Sequence, residues 1–97
     1  LPSSTAFVAT ESAERYAKQL ASHLGRKLEV EELPDGVRRL AFAKGTAVLT
    51  PEPERLVMRA EAEDAESLAV VEDVVGRHLE RFGQRNELVV TWQRDDA

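Results

Sequence analysis

No cysteine occurs among the 97 residues, so disulfides and thiolate metal sites are impossible, and the reducing cytoplasm is the expected setting. Aromatic residues are scarce, with one Trp, one Tyr and three Phe, so the interior has to be filled by aliphatic side chains. No apolar run approaches the roughly 20 residues that cross a bilayer. The opening LPSSTAFVAT shows neither the positive start nor the apolar centre of a secretory signal. Basic residues form no block and the net charge is -5, so the electrostatic footprint of a duplex-binding protein is missing. Neither nucleic acid nor membrane is expected as a partner.

Chemical machinery is equally sparse. The two histidines, His23 and His78, fall on different predicted helices, with no second histidine and no carboxylate one turn away from either. No serine lies in a Gly-x-Ser-x-Gly turn, and the five glycines are scattered rather than clustered as a phosphate-cradling loop requires. Adjacent carboxylates such as Glu31-Glu32 suit a solvated face better than acid/base work in so acidic a chain. No catalytic, metal-binding or cofactor-binding residue is assigned.

What the chain does have is patterning for one domain over residues 1–97. Residues 4 to 9 read as a strand, and Thr10 and Ser12 can cap the helix that follows. Ala13, Tyr16, Ala17, Leu20 and Leu24 recur at steps of three and four, and Gly25 is expected to end that helix in a left-handed conformation. From Leu28 to Glu61 the period changes to two. Turn residues at Pro34-Asp35-Gly36, Lys44-Gly45 and Pro51-Glu52-Pro53-Glu54 divide this region into strands at 28–33, 37–43, 46–50 and 55–61. A second helix opens at Glu63-Asp64-Ala65-Glu66 and ends near Gly83, with Leu68, Val71, Val75, Leu79 and Phe82 as its buried stripe and Val70 and Val74 widening the apolar surface toward a neighbour. Residues 87 to 93 read as a last strand, and a polar tail is expected to fray from Arg94.

Alternation places Leu28, Val30, Leu40, Phe42, Ala47, Leu49, Leu56, Met58 and Ala60 on one face of the sheet. Two helices with one apolar stripe each are then closed most simply on that same face. The expected fold is α+β, an antiparallel sheet with both helices on one side, in the order β-α-β-β-β-β-α-β. This order resembles the TATA-binding-protein-like topology, a likeness of fold that carries no function. Gly76, inside the second helix, implies close approach of another backbone, expected from the first helix.

Two surfaces stand out. Arg81, Arg85 and His78 gather at the end of the second helix with Trp92 on the last strand. Cations at a helix C-terminus are stabilising by themselves, and the functional reading is a pocket for an anion or a partner's carboxylate. On the outer sheet face Arg39, Arg55 and Arg59 surround Ala41, Val48 and Val57. Salt bridging explains the charges, but an open antiparallel sheet usually carries a cleaner polar side, and a homodimer or partner interface is the sharper reading.

The segment His78-Leu79-Glu80-Arg81-Phe82, followed by Arg85, Glu87-Leu88 and Trp92, together with Ala13-Glu14-Arg15-Tyr16 and Lys18-Gln19-Leu20, resembles the bacterial family catalogued as domain of unknown function 2218. The likeness runs from the first strand to Trp92. It implies a small bacterial domain associated with siderophore-interacting, flavin-dependent ferric reductases, hence an accessory role in iron acquisition, with no catalytic residue to carry over. The chain departs from the pattern at Gly83-Gln84 and at Asn86, where an acidic residue is common. Two functions are carried forward: a non-catalytic binding or accessory domain, dimeric through the outer face, and a small enzyme or binding protein for an anionic small molecule near His78, Arg81 and Arg85.

Overall fold

Backbone pairing along the period-two segments closes a six-stranded antiparallel sheet in the computed structural model, which describes residues 1–95. The elements are β1 (Ser3–Ala9), α1 (Ala13–Leu24), β2 (Glu29–Glu32), β3 (Arg38–Ala41), β4 (Gly45–Pro51), β5 (Arg55–Ala62), α2 (Ala65–Phe82) and β6 (Gln93–Arg94). Single 3-10 turns at Pro34–Gly36 and Gln84–Asn86 join β2 to β3 and follow α2. The strands lie in the order β2-β3-β4-β5-β1-β6, so β1 fills the place between the meander and the C-terminal strand.

The register follows the alternation. Leu40 faces Ala47, Leu49 faces Met58, and Met58 faces Ala6, all five fully buried on the side that carries both helices. Against them pack Tyr16, Leu20 and Leu24 of α1 and Leu68, Val71, Val75 and Leu79 of α2. Leu28, Val30 and Phe42 close the rim. The expected two-layer α+β architecture is the one observed.

Helix α2 begins as its sequence requires. The Asp64 carboxylate accepts a 2.7 Å hydrogen bond from the Ser67 amide, and this bond, with help from the Ser67 side chain and Lys44, holds the Asp64 carboxyl below its ordinary value. Before α1, the Thr10 hydroxyl accepts from the Ser12 amide at 3.0 Å, while Ser12 makes no side-chain cap.

Several expectations need correction. Gly25 is not left-handed: its φ of -63° continues the right-handed turn, and a side chain there would meet the Ala21 carbonyl. Gly83 does end α2 as expected, in a conformation that is not left-handed, and it leaves room for Leu88, which lies where a β-carbon would sit. Val70, expected to widen the apolar surface of α2 toward a neighbour, is instead 57% exposed.

The last strand is the largest correction, because only Gln93 and Arg94 join the sheet, opposite Thr5 and Ser4. Residues 88 to 92 lie along the flank of α2 instead, with Leu88, Val90 and Trp92 packed onto the core cluster and the Val90 amide donating to Glu80 at 3.0 Å. Their alternation was real, but its partner is a helix, and backbone donors there are satisfied by a side chain rather than a ladder. Arg94 does not fray: it is part of β6, and the Asp95 amide donates to the Ser3 carbonyl at 2.9 Å. The remainder of the expected tail, residues 96 and 97, lies outside the described residues.

Candidate functional site

Helix α2 divides the corner residues instead of gathering them. A residue two places along a helix is turned by about 200°, so His78 and Gly76 look in nearly opposite directions. His78 turns toward α1, where its ring lies 5.1 Å from that of His23 and 6.4 Å from Phe82. Its Nδ1 is 2.6 Å from the Val74 carbonyl, which can only accept, so Nδ1 carries the proton. Trp92 lies on the other flank, with its indole nitrogen 3.1 Å from where a Gly76 β-carbon would be. The glycine thus admits the segment after α2, and not α1 as expected. Around Trp92 runs a groove of about 280 Å³ whose charged walls are Glu72, Asp73, Arg77 and Glu80, mostly acidic. Arg81 and Arg85 are exposed and line neither this groove nor the one beside His23. Neither groove takes in all four residues.

The outer sheet face is organised in rows. Opposed across neighbouring strands stand Thr5, Arg59, Val48, Arg39 and Glu31, and in the next rows Phe7, Val57 and Thr50, then Glu61, Thr46, Ala41 and Glu29. All six residues singled out on this face in the sequence therefore share one surface. Each arginine is tied within the chain: Arg39 to Glu31 at 3.6 Å, Arg55 to Glu52 at 2.6 Å, and Arg59 to Asp95 at 3.1 Å. These pairs are half-exposed and contribute little stability.

Phe7 is the residue the sequence reading missed. It stands on this face 53% exposed, with the Arg55 guanidinium 4.6 Å from its ring centre. The signal was present, since β1 alternates like the others, but the unbroken apolar run Ala6-Phe7-Val8-Ala9 hides which side chains point inward.

Among the described residues, no group of three or more His, Asp or Glu side chains is placed to hold a metal ion, and no helix is long and apolar enough to cross a membrane.

A two-layer α+β domain with one sheet face open defines the structural class. Within it the chain belongs to the family described as uncharacterized protein conserved in bacteria (DUF2218), whose profile matches residues 5–93. It is similar to PA4090 from Pseudomonas aeruginosa, whose NMR structure superposes with a TM-score of 0.80 at 35% sequence identity, covering 96% of both chains. No protein with a curated functional description matches the chain.

Proposed function

We propose that this domain is a non-catalytic binding module that pairs with a second copy of itself through the open sheet face. The observation that carries the reading is Phe7, a large apolar ring kept more than half exposed beside Val57 on a face that no helix covers. Leaving half of such a side chain in water forgoes about half of the roughly 1.5–3 kcal/mol that full burial gives, which a partner surface recovers.

Charge placement favours a second copy as the occupant. Glu29 and Glu31 stand on the outermost strand β2, and Arg55 and Arg59 stand three strands away on β5. The face thus carries acidic side chains at its edge strand and basic ones nearer its middle, charges of opposite sign that a second copy presents in turn, as an isologous interface requires. In the cell we place this module in the cytoplasm, as an accessory to the siderophore-interacting reductases that the family resemblance implies.

Sedimentation velocity across a concentration series tests the pairing. The expected result is a dimer that Phe7→Glu or Val57→Glu converts to a folded monomer. A wild-type chain that stays monomeric throughout, or a dimer indifferent to both substitutions, removes the reading.

A further inference from the structure

Between Glu14 and Glu29 the chain contains no acidic residue, although acids outnumber bases 18 to 13 overall. Within that stretch Arg15, Lys18, Ser22 and Arg26 follow one another at steps of three and four, so they stand along one outward stripe of α1 and its C-terminal turn. The structure joins them to Gln19, His23 and Phe82 around a shallow groove of about 430 Å³, large enough for a small molecule, and no carboxylate lines it.

Two observations separate this stripe from an ordinary solvated helix face. First, ion pairs among the described residues are made by Arg38, Arg39, Arg55, Arg59, Arg77 and Arg94, and none by Arg15, Lys18 or Arg26. Lys27, Lys44, Arg81 and Arg85 make none of these pairs either, but Arg15, Lys18 and Arg26 are the three of this set that line one groove. Second, helix-end electrostatics accounts for only part of the row. Arg26 beyond the C-terminus of α1 is favourable to the helix dipole, but Arg15 sits in the first turn, where a positive charge is unfavourable. Lys18, one turn further on, adds like-charge repulsion.

The groove also has a flat wall. Phe82, the last residue of α2, meets the His23 ring edge to face at 5.5 Å, and His78 stands behind His23. Arg15 and Arg26 are eleven residues apart, about 16 Å along a helical axis. No buried nest of donors converges on a single point, so the arrangement suits several anionic groups spread along a ligand better than one.

We propose that the α1 face from Arg15 to Arg26, walled by Phe82 and His23, is a binding site for a small polyanion bearing phosphate or carboxylate groups. The site lies on the helical layer, opposite the proposed pairing face, so the two readings fail independently. A nucleic acid strand is the less favoured occupant, because the positive stripe is one short helix long on a protein of net charge -5.

The test is a two-dimensional amide NMR titration of the intact protein with sodium tripolyphosphate and, separately, with citrate, against sodium chloride at matched ionic strength. Saturable shifts confined to residues 15–26 and Phe82 are expected with at least one polyanion, and which one saturates at lower concentration distinguishes phosphate from carboxylate chemistry. Binding by exposed cations has to weaken as salt is raised. The double variant Arg15→Glu, Arg26→Glu is expected to lose about tenfold or more in affinity. Arg15→Glu alone is expected to weaken binding with little change in melting temperature, since removing a first-turn cation offsets the loss of the guanidinium contact with the Tyr16 ring at 5.5 Å. Misfolding cannot produce that combination. Shifts no larger than those of chloride, undiminished binding in the double variant, or a short single-stranded oligonucleotide binding more than about tenfold tighter than tripolyphosphate each overturn the proposal.

Discussion

Asn86 donates a 2.7 Å hydrogen bond from Nδ2 to the hydroxyl of Tyr16, joining the turn after α2 to the buried face of α1 across 70 residues of chain. Tyr16 is only 2% exposed, so its hydroxyl depends on this bond for one of its polar contacts. Asn86→Ala is therefore expected to destabilise the domain by about 1–2 kcal/mol, a drop of roughly 4–16 °C in Tm. Tyr16→Phe removes the stranded group as well as the bond. In a double-mutant cycle the pair should cost less than the sum of the single changes, and thermal melts of the four proteins measure the coupling.

The contact also shows how far the sequence could be read. Tyr16 was legible as core because it falls on the α1 stripe with Leu20 and Leu24, and the sheet face was legible because Leu40, Leu49 and Met58 belong to apolar side chains recurring at every second position of their strands. Asn86 was visible only as a departure from a family pattern, since nothing local says where a turn amide points. His78 and Trp92 both belong to the C-terminal part of the chain, yet they stand on different flanks of α2. That separation depends on how residues 88 to 92 return along α2, a tertiary choice that period-two alternation cannot distinguish from a sheet ladder.

Gly76 and Trp92 make a second test. Alanine at 76 gains about 1 kcal/mol of helix propensity but sets a methyl 3.1 Å from the indole nitrogen. Small movement of Trp92 offsets the gain, and a near-neutral melt is expected. Gly76→Val has no such escape and should displace the ring, destabilising by about 1–3 kcal/mol. Trp92 is the sole tryptophan, so a red shift of its fluorescence in the folded valine variant reports the displacement directly.

Asp64 gives a pH-dependent expectation. Its folded carboxyl lies below the ordinary 3.8 because the Ser67 amide donates to the charged form. A depressed carboxyl stabilises the fold above its unfolded value and loses that contribution as pH falls through the folded value. Asp64→Ala should therefore lower Tm at pH 7, with the difference from wild type shrinking as pH falls below 3.8. A difference that stays constant from pH 7 to pH 2 would show that the carboxylate's charge is not what the cap uses.

Residues 88 to 91 discriminate a strand from a helix-flank strap. Leu88 fills the space that Gly83 leaves, and Val90 packs beside Gly76, whereas Val89 is 68% exposed. Leu88→Ala and Val90→Ala are expected to destabilise by about 1–3 kcal/mol each, because both side chains are only partly buried and full-burial losses are larger. Val89→Ala and Thr91→Ala should fall within about 0.5 kcal/mol of wild type. Alternation alone predicts this contrast for a strand as well, so the deciding variant is Glu80→Ala. Its carboxylate accepts the Val90 amide, a bond that a sheet-paired strand would not need. Faster hydrogen exchange at the Val90 amide in that variant, with Thr5 and Ser4 unchanged beside β6, supports the strap; unchanged exchange at Val90 means that its amide is protected by something other than Glu80.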